Sequence, residues 1–152
     1  MKKKSKADSS VKFALIAALG GFLFGYDTAV INGAIGPLSD FFGLTPGEKG
    51  WAASSALLGC VIGSASAGFF TGRLGRKKTL KITAVLFFIS ALGCAFPQNL
   101  GQLVLFRVLG GIAVGSASMT APMYIAELSP PAVRGRLVSY YQLAVVIGIL
   151  IV

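Results

Sequence analysis

The stretch FALIAALGGFLFGYDTAVINGAIGPL, residues 13–38, holds one charged residue, Asp27, inside an otherwise apolar run. As a helix it extends about 39 Å, longer than the roughly 30 Å hydrocarbon core of a bilayer. An ionised side chain at mid-bilayer costs about 2.5–3.5 kcal/mol even on lenient insertion scales. A span that keeps one needs it for a partner, a cavity or a proton path. Residues 100–126 repeat the construction, with Arg107 as the lone charge.

Between these runs lie two more apolar blocks, residues 51–71 and 79–96, the second with Lys81 near its start, where a lysine can snorkel to the interface. A fifth block, residues 137–152, reaches about 24 Å, short of the core thickness. With 55% hydrophobic and 12% charged residues, the chain reads as a polytopic membrane protein. The expected fold class is all-α: four complete transmembrane helices and a truncated fifth, at about residues 12–38, 50–71, 79–96, 99–126 and 137–152. A cytoplasmic basic tail, residues 1–11, precedes this incomplete transmembrane domain of residues 12–152.

The net charge of +9 suggests nucleic acid in a soluble protein, but its placement here is topological. Of the 14 Lys and Arg, 12 sit in three segments on one alternating side of the spans. These are the tail with Lys2, Lys3, Lys4, Lys6 and Lys12, the second loop with Arg73, Arg76, Lys77, Lys78 and Lys81, and the fourth loop with Arg134 and Arg136. The positive-inside rule places all three in the cytoplasm, so the chain is expected in the cell (inner) membrane, multi-pass, with a cytoplasmic N-terminus. Nucleic acid is not an expected partner; the lipid bilayer is. The first apolar run is longer than a signal-peptide core, and three more spans follow it, so it is read as a helix.

Cys60 and Cys94 both lie within spans, and the chain has no histidine, so no metal site, disulfide framework or histidine-based triad is supported. No cofactor is expected. No convergent set of polar groups surrounds a nucleophile, and the expectation is that the chain is not an enzyme. The loop Gly72-Arg73-Leu74-Gly75-Arg76-Lys77-Lys78-Thr79 lacks the glycine spacing of a phosphate-binding loop. Small residues crowd the second span, at Gly59, Gly63, Gly68 and Gly72, and the fourth, at Gly111, Gly115 and Ser118, a pattern for close helix packing in lipid. Pro122 is expected to kink or end the fourth helix.

A further pattern runs along the chain. The first span carries Gly20-Gly21-Phe22-Leu23-Phe24-Gly25-Tyr26-Asp27-Thr28-Ala29-Val30, and the short basic loop follows. Then come Arg107-Val108-Leu109-Gly110-Gly111, Pro122-Met123-Tyr124-Ile125-Ala126-Glu127, Arg134-Gly135-Arg136-Leu137-Val138-Ser139 and Gln142. In this order and spacing the chain resembles the N-terminal third of a sugar porter of the major facilitator superfamily, from about Leu19 onward.

The resemblance implies a partial major-facilitator N-terminal helical bundle. Its parent would be a secondary active transporter, a twelve-helix carrier moving a monosaccharide by alternating access, and the missing C-terminal six-helix domain is a required partner. Proton-coupled members resemble this chain in having Asp in the first-helix motif, so proton symport is expected, with Asp27 and Arg107 as the coupling residues. Gln142 matches a sugar-binding position and Phe24 a cavity-lining aromatic, although helix–helix hydrogen bonding and plain packing also account for them. Arg73, Arg76, Glu127, Arg134 and Arg136 resemble the cytoplasmic gate, with solvated topology charges as the other reading. Gly72 stands where the superfamily usually has an acidic or amide residue, which weakens one expected latch. The alternatives are a non-transporting membrane element or partner subunit derived from such a carrier, and a small oligomeric pore.

Depth is compatible with the coupling pair. Asp27 lies 14 residues after Phe13, about 21 Å from one edge, and Arg107 lies 7 residues after Leu100, about 10 Å from the other. These depths sum to about the 30 Å core, so both side chains reach one level. Burial disfavours an ionised carboxylate and a facing guanidinium favours it, which makes such a pair a protonation switch.

Overall fold

The computed structural model describes the backbone of residues 2–152 and the side chains of residues 18–152. The described residues form five helices: α1 (Lys2–Phe42), α2 (Pro46–Leu74), α3 (Arg76–Ala95), α4 (Leu100–Leu128) and α5 (Arg134–Leu150). Among them, α2, α3 and α4 are long and apolar enough to cross a membrane. All-helical structure suits lipid, where every backbone polar group must find its partner within the protein.

Several helices outrun their hydropathic blocks. α1 covers residues 2–11, assigned to a tail from sequence, and passes Pro37 to end at Phe42. There Gly43 takes φ 62°, the left-handed conformation that suits glycine, and Leu44 N–H donates to Ser39 O at 3.0 Å. α2 begins at Pro46 rather than near residue 50 because Thr45 and Glu48 form a capping box. The Thr45 N–H and hydroxyl each donate to Glu48 Oε2 at 2.8 Å, and Glu48 N–H donates to Thr45 Oγ1 at 3.4 Å. The α2–α3 turn is one residue, Gly75, at φ 79°. Pro122 does not end α4, which continues to Leu128, and α5 starts at Arg134 rather than Leu137. The physical reason is common to all: hydropathy marks the part of a helix that lipid covers, whereas caps and turn glycines mark where the helix stops.

Packing follows the rule for helices in lipid, with small residues inside and large apolar ones outside. On α2 the buried positions are Ala52, Ser55, Gly59, Gly63, Ala67 and Thr71. Its Leu57, Val61, Ile62 and Phe69 are exposed. A Cβ at Gly59 or Gly63 would collide with the α4 backbone at Val108 and Ile112, and one at Gly111 or Gly115 with the α2 backbone at Ala56 and Cys60. Gly68 and Gly72 do not share in this packing: both face open space, and Ala67 and Thr71 fill the buried stripe one residue earlier.

α1 and α5 meet in the same manner, Gly25 against the Val145 carbonyl and Gly148 against that of Phe22. α4 is the hub, touching all four other helices. Hydroxyls tie it to its neighbours: Ser90 Oγ of α3 donates to Phe106 O at 2.6 Å, and Ser116 Oγ donates to Gly63 O of α2 at 2.9 Å.

Candidate functional site

Close approach of α2 and α4 leaves space where α1 crosses them. A cavity of about 430 Å³ opens there, and both lone mid-span charges line it, Asp27 from the middle of α1 and Arg107 from the second turn of α4. Arg107 is buried, 8% exposed, and its Nε has no hydrogen-bond partner. No ion pair within 4.0 Å joins it to Asp27, so the two charges share a cavity without direct contact. Thr28, Asn32, Ser54 and Cys60 add polar atoms to the same wall.

Phe24, one turn before Asp27, lines this cavity and a second one of about 400 Å³ framed by α1, α3, α4 and α5. The second is mostly apolar, with Thr83, Ser118, Tyr124 and Tyr141 as its polar members. Gln142 lines neither: it is exposed on α5, while its neighbour Tyr141 turns inward. The structure therefore brings Phe24, Asp27 and Arg107 together and leaves Gln142 apart.

The basic ends of the helices form a separate cluster. Arg76 Nη2 lies 2.8 Å from Glu127 Oε1, and its Nε donates to the same oxygen at 2.9 Å. Arg76 Nη1 also donates to Thr71 O at 3.4 Å, so one guanidinium ties the end of α2 and the start of α3 to the end of α4. The Arg73 guanidinium stacks 4.2 Å from the Phe69 ring centroid. Arg134 and Arg136 are exposed on the first turn of α5 with no ion pair among the described residues. Of the five charges expected to act together here, the structure joins two.

Sequence reasoning passed over Thr28, Asn32 and Ser54. For the first two a signal existed: Thr28 and Asn32 stand four positions apart, the spacing of one helix face, and Thr28 adjoins Asp27. Ser54 sits in a run of small residues that reads as packing material, and nothing in its spacing marks it out.

The family model described as "Sugar (and other) transporter" matches residues 13–152. A glucose transport protein of Synechocystis is 50% identical over 151 residues, covering 97% of this chain and 32% of the relative. The D-xylose-proton symporter of Escherichia coli K12 is 44% identical over 165 residues, covering 91% of this chain and 33% of the relative. The E. coli xylose transporter in its inward-open conformation superposes with a TM-score of 0.87 at 43% identity, over 93% of this chain and 38% of that structure. The proton:xylose symporter bound to 6-bromo-6-deoxy-D-glucose gives 0.89 at 42% identity, over 95% and 36%. The chain spans about a third of the length of the curated relatives it matches.

Proposed function

Because the chain belongs to the sugar transporter family, we propose that it is the N-terminal part of a secondary active carrier that moves a monosaccharide by proton symport and alternating access. The observation that carries the reading is the shared cavity of Asp27 and Arg107. A carboxylate and a buried guanidinium facing one space within helices of membrane-spanning length are costly, and such groups mark ion and proton pathways. Relatives named as proton symporters of xylose, arabinose and galactose support the same assignment.

In this mechanism Asp27 takes up the proton and Arg107 responds to its charge. With Asp27 ionised, attraction across the cavity favours one arrangement of α1 against α4. With Asp27 neutral, that bias is removed and the helices are free to rearrange. Phe24 and Gln142 belong to the sugar site, Gln142 from the exposed face of α5, where a second six-helix domain covers it. Arg76 and Glu127, with Arg73, Arg134 and Arg136, form the gate at the basic helix ends, which lie in the cytoplasm of an inner-membrane protein with its N-terminus inside. Alternating access then rocks this bundle against the other around a central site.

The test is Asp27→Asn in the carrier, with D-xylose and D-glucose as probes. Proton-driven accumulation in energised vesicles is expected to be lost while sugar counterflow without a gradient persists. Undiminished accumulation overturns the assignment.

A further inference from the structure

The face of α3 turned away from α4 carries its side chains in a definite order. Lys77, Lys81, Val85, Phe88 and Leu92 follow one another at three- and four-residue spacing, with Lys78 beside the first two, and all six are exposed. Thr79, Thr83 and Ser90 lie on the opposite, buried side, where the Ser90 hydroxyl donates to Phe106 O of α4 at 2.6 Å. The outer face of α3 is therefore cationic at its start and apolar below.

The acid at these helix ends, Glu127, is already paired with Arg76 at 2.8 Å, and none of Lys77, Lys78 and Lys81 makes an ion pair with a described residue. Like charges three and four positions apart on one helix repel, as Lys78 and Lys77 each do with Lys81. An anion seated among them offsets that repulsion, and ammonium groups with three donors each suit a phosphate. The apolar stripe selects the kind of phosphate. From Lys81 to Leu92 it runs 11 residues, about 17 Å, close to half of the roughly 30 Å hydrocarbon core and so the depth of one leaflet. A phosphate above and an acyl chain below is the shape of a phospholipid, whereas a free phosphate has no use for the stripe. Charge decides among phospholipids, because each lysine adds attraction for an anionic headgroup over a zwitterionic one.

We infer that this face of α3 binds one anionic phospholipid, its phosphodiester held by Lys77, Lys78 and Lys81 and an acyl chain lying along Val85, Phe88 and Leu92. The site needs α3 to span the bilayer and needs nothing of sugar or proton coupling, so its failure and that of the transport reading are told apart.

The experiment replaces Phe88 by the photoreactive p-benzoylphenylalanine in the full gene product, within vesicles of phosphatidylethanolamine and phosphatidylglycerol. After irradiation the lipid adducts are identified by mass. The probe sits about 10 Å below Lys81, at acyl-chain depth. Phosphatidylglycerol adducts are expected at least about fivefold above their share of the bilayer, and Lys77→Gln, Lys78→Gln and Lys81→Gln together to return them to that share. Arg134→Gln with Arg136→Gln, on α5, is expected to leave the enrichment within about twofold, because those charges lie on another helix. Adducts in bilayer proportion, adducts to protein in place of lipid, or enrichment that survives the glutamines overturn the site. So does an α5 pair that abolishes the enrichment as fully as the lysines, since the attraction is then a diffuse surface potential. Should the glutamine variant fail to insert, salt replaces it: raising NaCl from about 50 mM to about 500 mM is expected to remove most of the enrichment, since exposed charges are screened. Enrichment indifferent to salt overturns the proposal.

Discussion

The helix α4 carries one charge near each end and treats them in opposite ways. Glu127, 45% exposed, is paired at 2.8 Å with Arg76, 36% exposed. Arg107 is 8% exposed, leaves Nε without a partner, and faces Asp27 across a cavity with no ion pair between them. An exposed pair is inexpensive to form and contributes little. A buried charge whose partner stands off is a net cost to the fold, since taking an ion from water costs several kcal/mol and only close, complete hydrogen bonding repays it. The contrast teaches that the charge at the basic end fastens the ends of α2, α3 and α4, whereas the charge in the span is kept despite its effect on stability.

The strongest way to break this contrast is to neutralise both mid-span charges. Asp27→Asn with Arg107→Leu is expected to stabilise the protein by about 1–4 kcal/mol, as replacement of buried ions by well-packed residues often does. The midpoint of thermal unfolding in detergent reads the change, and proton-driven uptake should be absent in the same preparation. A lowered midpoint means that Asp27 and Arg107 hold the fold together, and the two ends of α4 are then alike.

The same contrast explains what the sequence revealed and what it withheld. Asp27 and Arg107 stood out because charge in an apolar run is rare for an energetic reason, and the structure lines one cavity with both. Gly59, Gly63, Gly111 and Gly115 were legible as packing residues through their four-residue spacing. Gly68 and Gly72 are four residues apart but begin five residues after Gly63, which turns them off the packed stripe that Ala67 and Thr71 continue, and both face open space. Gln142 came from the family motif alone, and the structure leaves it exposed on α5. Ser54 stayed silent because its hydroxyl donates to its own helix, which lets it sit in a span without charge or period. The pairing of Arg76 with Glu127, 51 residues apart, is a product of how α3 and α4 pack.

A double-mutant cycle on that pair sharpens the other side of the comparison. Arg76→Ala, Glu127→Ala and the double variant are expected to give a coupling of about 0.2–1 kcal/mol that shrinks as salt is raised. The Thr71 carbonyl also accepts from Arg76, so Arg76→Ala should cost more than Glu127→Ala. A coupling several-fold larger and insensitive to salt shows the pair to be shielded, and the basic end then resembles the buried site.

The smallest effect is at the opposite end of the bundle, where Glu48 caps α2. The hydrogen bond from the Thr45 N–H, followed by that from the Thr45 hydroxyl, holds the exposed Glu48 carboxyl below its ordinary pKa. A carboxyl whose pKa is depressed by folding binds fewer protons folded than unfolded. Its contribution is therefore complete above the unfolded pKa and is lost as pH falls through the folded one. Amide exchange in the first turn of α2, corrected for intrinsic rates, should quicken on acidification below about pH 4. In Glu48→Gln the side chain still accepts from Thr45, so the first turn should persist and its acid sensitivity should vanish. Acid sensitivity surviving in Glu48→Gln moves its origin away from the cap.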